Sequence, residues 1–331
     1  MNENSEKGGW HKSIYSIVFA TKKATKLFRM HNLKANFDKM YKIVKSSLSA
    51  KLNTQDNIQF YPRLPKMNDC SIIALSICAE SLGIDSENYF WSKLKKDYSQ
   101  EFPALVDRSN FNKRRRRLQL YIHEVTRQLS AVLNEQENAY LIDSIPVPIC
   151  KTVREKRCRF ESECFEDAPD KGYSAVSKSY YYGYKLHLVT SIRGVFYSMD
   201  LTKASVHDIN YLQEVKYSGM QNAVLIGDKG YLSKQVNIDL FSSCNITLET
   251  PKRSNQKDEQ PWHPVLRKSR KRIETLFSQL CDQMMLKRNY AKSLNGLNTR
   301  LISKIAAVTV LQYINHQHSR PINHLKHALA A

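Results

Sequence analysis

At 331 residues with 42% hydrophobic content, the chain can bury a sizeable core and has room for two domains. Its 51 Lys+Arg against 31 Asp+Glu leave a formal net charge of +20, which favours a polyanion held by phosphate contacts and counterion release, so double-stranded nucleic acid is the expected partner. No run of 18 apolar residues and no long basic amphipathic helix argues for a membrane, and seven cysteines without a C-x2-C pair argue against a disulfide framework or a zinc ribbon.

Residues 1–29 read as a basic, loosely organised extension without a secretory apolar core, and Met30 opens a more regular pattern as a candidate start. Reduced thiols and the lack of a secretory apolar core lead to the expectation of a cytoplasmic protein. Residues 30–135 carry helical periodicity. Ile72, Ile73, Leu75, Ile77 and Ala79 predict a buried helix over 71–82, stopped by Gly83. A second short helix is expected over 88–94, with Tyr89, Phe90 and Trp91 as bulk. The run Lys113, Arg114, Arg115, Arg116 and Arg117 precedes a helical pattern through Leu118, Leu120, Ile122, Val125 and Leu129. Five successive cations go all round a helix, so some must face solvent or phosphate; a localisation signal and a plain solvated face are the other readings.

After residue 136 the pattern becomes that of strands. Ala139-Tyr140-Leu141-Ile142 leads into Asp143, and Pro146 and Pro148 are expected to stop that strand close to Asp143. Tyr182, Tyr184, Leu186 and Leu188, then Val195, Tyr197, Met199 and Leu201, alternate about a turn at Arg193-Gly194 and predict an antiparallel hairpin. Ser205 to Asp208 fits a capping box, with Asp208 as the N3 acid of a helix through Ile209 and Leu212. His207 beside it is either an active-site candidate or a packed histidine. A second buried strand, 223–227, leads into Asp228, and Lys229, a further active-site candidate, follows it in a turn flanked by glycines. A helix over 233–241, a strand over 246–249 and a polar stretch over 252–264 come next. The last helix buries Ile273, Leu276, Phe277 and Leu280 and carries Arg267, Arg270, Lys271 and Glu274 on a neighbouring face.

Asp143 and Asp228 each stand where a buried strand leaves the sheet, the crevice in which open α/β sheets hold ligands. One such aspartate is ordinarily a turn cap, and one glutamate among cations is ordinarily an i, i+4 ion pair. Three acids in this pattern read instead as ligands of a hard divalent cation, with the neighbouring cations on phosphates.

The order of elements resembles the ribonuclease H-like fold of DDE transposases and integrases over residues 136–315. The words Asp143-Ser144-Ile145-Pro146-Val147-Pro148-Ile149-Cys150, Tyr182-Gly183-Tyr184-Lys185-Leu186-His187, Gly227-Asp228-Lys229-Gly230-Tyr231 and Arg272-Ile273-Glu274-Thr275-Leu276-Phe277-Ser278-Gln279 resemble the insertion-sequence 982 family of bacterial transposases. The fold class so implied is α/β, a ribonuclease H-like mixed sheet flanked by helices, behind a helical DNA-binding part at 30–135 and ahead of a tail at 316–331. The resemblance further implies Asp143, Asp228 and Glu274 as catalytic and metal-ligating residues, two Mg²⁺ ions replaceable by Mn²⁺, and a homodimer on DNA. Cleavage at element ends followed by joining of the 3′-OH to target DNA would be the reaction. DNA contacts are expected from Lys113 to Arg117 and from Arg267, Arg270 and Lys271. One departure stands out: of the Tyr-x2-Arg-x3-Glu-x6-Lys pattern of related transposases, only Arg270 and Glu274 are kept, Arg267 and Cys281 standing at the outer positions. A ribonuclease H-like nuclease and a decayed, non-catalytic DNA-binding transposase are the rival expectations.

Overall fold

The computed structural model describes residues 32–160, 167–252 and 262–329. The extension at 1–29, Met30, Cys164 and most of the 252–264 stretch lie outside the described residues. Among the described residues helices come first: α1 (Leu33–Ser47), α2 (Asp69–Ser81), α3 (Glu87–Asp97), α4 (Arg108–Arg117) and α5 (Gln119–Leu133). The first four start at side-chain caps, Asn32, Asn68, Ser86 and Asp107 each accepting from the N–H three residues on. No such cap precedes α5, because the chain enters it directly from α4 through Leu118 (φ −95°, ψ 6°). The helix expected over 71–82 begins two residues early, at Asp69, and Gly83 follows it with φ +67° as anticipated.

The described strands are β1 (Ala139–Cys150), β2 (Asp170–Ser174), β3 (Ser179–Ser191), β4 (Phe196–Lys203), β5 (Ala223–Ile226) and β6 (Ile246–Glu249). Their order is β2-β3-β1-β5-β6, with β4 also on β3. Both β2 and β4 pair with the outer edge of β3, β2 at Ser179 to Gly183 and β4 at Tyr184 to Thr190. Pairing is antiparallel among β1 to β4 and parallel along β1, β5 and β6. Helices α6 (Tyr211–Val215), α7 (Lys234–Cys244), α8 (Pro264–Asp282) and α9 (Leu294–Gln317) complete the chain. The result is the helix-flanked mixed sheet that the sequence predicts, with the hairpin β3–β4 in the expected register: Leu186 stands opposite Leu201 and Leu188 opposite Met199.

Two local expectations are corrected. The first strand does not stop near Asp143 but runs on to Cys150, still paired with β3. Backbone N–H groups two residues apart in a strand point to the same edge, and β1 keeps β5 beside it only from Ala139 to Leu141. Pro146 and Pro148 therefore place their missing donors on the edge that β5 has left, and the ladder to β3 is untouched. The second correction is at Ser205: the following helix opens as a 3-10 turn at Asp208–Asn210 with His207 at its cap and no side-chain capping bond. Strand β2 is an addition, a pairing that no pattern in the sequence foretold.

Alternation along β1 sorts the two cores. Leu141, Ile145 and Val147 join a large apolar cluster with α1 to α5, α8 and α9, whereas Tyr140 and Ile142 join a smaller one with α6, α7, β5 and β6. Helix α9 is buried nearly all round, because α2 and α5 pack on it from one side and α8 and the sheet from the other. Its Lys304 ammonium, 2% exposed, binds Glu80 of α2 and donates to the Met284 carbonyl. Arg300 adds a bond to the Asp85 carbonyl at 2.7 Å. Residues 318–329 fold back, Leu325 and Ala328 being buried.

Candidate active site

The last β1–β5 pair is Leu141 with Ile226. Counting two residues on along both parallel strands sets Asp143 beside Asp228. Asp143 has the parity of Leu141 and Ile145, and Asp228 that of Ile226, so both belong to the sheet face that α8 covers. Helix α8 presents Ile273, Leu276, Phe277 and Leu280 to the core, which leaves Arg270 and Glu274 on the flank toward the aspartates. Arg270 lies between the acids, its Nη2 being 3.5 Å from Asp143 Oδ2 and 3.8 Å from Glu274 Oε1.

The three acids differ in environment. Burial pushes the Asp143 carboxyl up to about 6, against the Ser144 N–H (2.8 Å) and Arg270, and the Asp228 charge adds to the rise. Asp228 is half-buried and caps its own turn, accepting from the Gly230 N–H at 2.7 Å. Turn capping is thus real at Asp228, and it fixes one carboxylate oxygen while leaving the other open. Glu274 is 57% exposed and pairs with Arg270.

Asp208, expected to cap a helix, comes instead to the edge of this group. Its Oδ1 accepts from Ser144 Oγ at 3.0 Å and from Lys185 Nζ at 2.8 Å. Lys185 also donates to the Val206 carbonyl at 2.7 Å. Gly230 sits between two of the acids, for a Cβ placed there would lie 2.9 Å from Asp228 Oδ1 and 3.7 Å from Asp208 Oδ2. Beneath them Tyr231 is fully buried, and its phenol is raised well above its usual range by burial and then by Asp208, Asp143 and Asp228 in turn. The charges of all three aspartates are thus felt at one buried phenol. The signal for Asp208 was present in Lys185, a cation inside an apolar strand that needs a buried counter-ion.

Other candidates separate by exposure. His207 and Lys229 are exposed, and among the described residues no hydrogen bond or ion pair ties either to the acids. Arg267 and Lys271 are exposed on α8 and, with Trp262, Pro264 and Lys268, line a shallow groove of about 160 Å³. Of the run on α4, Lys113, Arg116 and Arg117 are exposed. Arg114 and Arg115 are buried: Arg114 binds Asp69 (2.6 Å) and the Met67 carbonyl, and Arg115 binds Glu87 (2.5 Å). Five outward-facing cations were expected, but the helical period turns Arg114 and Arg115 inward with Phe111 and leaves three facing solvent.

The donor set suits a hard divalent cation in kind, being all carboxylate oxygen with one acid buried beyond what Arg270 compensates. Among the described residues, no three His, Cys, Asp or Glu side chains stand close enough together to hold an ion as they lie. Arg270 takes up the space between Asp143 and Glu274 instead. No helix among the described residues is long and apolar enough to cross a membrane.

A mixed sheet flanked by helices in this order is consistent with a ribonuclease H-like DDE domain. A family model described as Transposase DDE domain matches residues 134–310, more than half of the chain. The chain belongs to this family, that of DDE-type insertion-sequence transposases, whose substrate is DNA and whose members generally use divalent metal ions. No curated protein and no solved structure matches it.

Proposed function

We propose that the protein cleaves DNA at the ends of an insertion element and joins the freed 3′-OH to target DNA, with Asp143, Asp228 and Glu274 as the catalytic acids and an insertion-sequence 982 type of element as its substrate. The observation that carries this reading is the register of β1 on β5, which sets Asp143 and Asp228 side by side on the face covered by the Glu274 helix. When bound, two Mg²⁺ ions, or Mn²⁺ in their place, would supply activation of the attacking oxygen and neutralisation of the leaving one. Asp143, Asp228 and Glu274 would hold them, and Arg270 would exchange its carboxylate partners for a phosphate oxygen. Asp208 is the positioning residue: it accepts from the hydroxyl of Ser144, the residue whose N–H binds Asp143, and it pairs with Lys185 on the opposite face of the sheet. Residues 30–135 would serve as the DNA-binding part, and two copies would act together on paired ends.

The test uses the full chain with Mg²⁺ or Mn²⁺ and a labelled duplex carrying the element's terminal repeat. Cleavage and then joined product are expected from the wild type, none from Asp143→Asn, and about 10- to 100-fold less from Asp208→Asn, the usual cost of removing a supporting partner of a ligand. Cleavage without joining would make the protein a nuclease. Unchanged cleavage by Asp143→Asn would sink the catalytic reading.

A further inference from the structure

A cleft of about 710 Å³ lies away from the acids, between α3, α4 and the start of α9. Its cations are Arg108, Arg115 and Arg116 of α4, Lys292 just before α9 and Arg300 within it. Against these five stands one carboxylate, Glu87. That carboxylate is already used. Arg115 and the Asn112 amide bind it, both at 2.5 Å, and although burial opposes ionisation these partners hold its carboxyl below the usual range.

Two helix N-termini also open into the cleft. Ser86 caps α3 through the Tyr89 N–H, and Ser293 caps α9 through the Gly296 N–H. Each cap satisfies one amide of the first turn and leaves earlier ones to find partners outside the helix. An anion bound there gains from those donors and from the helix dipole. Gly296 lines the same wall with no side chain to keep an incoming group from the backbone. Arg116 and Lys292 are exposed on opposite sides, and Tyr290, 61% exposed, offers a flat apolar face at the rim. The buried arginines are already paired, Arg115 with Glu87 and Arg300 with the Asp85 carbonyl and, at 3.9 Å, Glu80, so the cations free to meet a ligand are the exposed ones.

We propose that this cleft is a second DNA-contact site, which takes the sugar–phosphate backbone of one strand through Arg116, Lys292 and the two helix N-termini. The inference rests on the reading of the chain as a DNA transposase, since the charge alone specifies only a phosphate. Within the cationic run of α4 the roles then differ: Arg115 builds the wall, Arg116 meets the strand, and Arg114 is turned away to Asp69. Because Lys292 lies between the Glu274 helix and α9, a strand held here is tied directly to the segment that follows the third acid.

The experiment is fluorescence anisotropy of the full chain with a labelled duplex of mixed sequence across a sodium chloride series. Changing Arg116→Gln with Lys292→Gln is expected to lower the slope of log affinity against log salt by about 2, near 0.9 for each phosphate no longer neutralised. The charge-preserving pair Arg116→Lys with Lys292→Arg should retain the wild-type slope. An unchanged slope for the glutamine pair, with native circular dichroism, overturns the proposal. So does loss of binding in Arg267→Gln with Lys271→Gln while the cleft variant binds normally. If inorganic phosphate raises the melting temperature of the wild type but not of the glutamine pair, and the DNA slope stays unchanged, the cleft takes small phosphates and the proposal also fails. A wild type that binds no duplex under any salt would instead bring down the transposase reading.

Discussion

His187 shows how a single side chain couples this fold to pH. It is fully buried on β3, with Nε2 2.8 Å from Thr202 Oγ1, its ring 4.9 Å from that of Tyr211, and Nδ1 without a partner. Burial pushes its imidazole down to about 4, Lys185 adding to the fall and Asp208 opposing it. The unfolded chain takes up a proton near 6.5 while the folded chain does not, so this residue withdraws stability as pH falls from 6.5 toward 4. Roughly 2 kcal/mol should be lost between pH 7 and pH 5, read as a lower urea midpoint, and His187→Gln should lose much less over the same interval. Sequence carried most of the acid site at this scale. Asp143, Asp228 and Glu274 were legible because apolar runs and one amphipathic stripe point to them. Asp208 was not, because a capping box and a lysine counter-ion are written with the same letters, and the partner 23 residues away decides between them.

At the scale of elements, strands and helices with an apolar rhythm were found close to where they lie. The elements missed or cut short lack that rhythm. Strand β2, Asp-Lys-Gly-Tyr-Ser, has no apolar face of its own and exists because the outer edge of β3 is there to pair with it. Helix α9 hides among polar letters, for Arg300, Ser303, Lys304, Thr309, Gln312 and Asn315 are all buried in it. Such a helix depends on its partners, and Glu80 is the main one. Glu80→Gln leaves the Lys304 ammonium, whose affinity for its proton burial already lowers, without its counter-charge. The expected cost is about 3–5 kcal/mol in chemical denaturation. A change under about 1 kcal/mol would mean that the Met284 carbonyl alone can hold the ammonium.

For the molecule as a whole, the apolar core does not respect the change of pattern at residue 136. Leu75 and Phe90 of the first helices belong to the same buried cluster as Leu186 of the sheet and Val310 of α9. A shared core predicts shared unfolding. The fluorescence change of buried Trp91 on α3 and the loss of far-UV circular dichroism should fall at one urea concentration. Two separated transitions would show that the N-terminal helices stand by themselves. Sequence alone divides the chain here because helical periodicity gives way to alternation, and periodicity reports local geometry rather than which faces meet.

The prolines of β1 have one more effect. Beyond Leu141 the strand that carries Asp143 has, among the described residues, a paired strand on one side alone, and a bare strand edge is an invitation to any extended peptide, including the same segment of another copy. With Pro146 and Pro148 on that side, two consecutive docking positions offer no N–H, and a would-be extra strand finds half its ladder missing. The lip of the acidic crevice is thereby kept clear of protein, open to a polymer that binds through phosphate instead of through peptide groups.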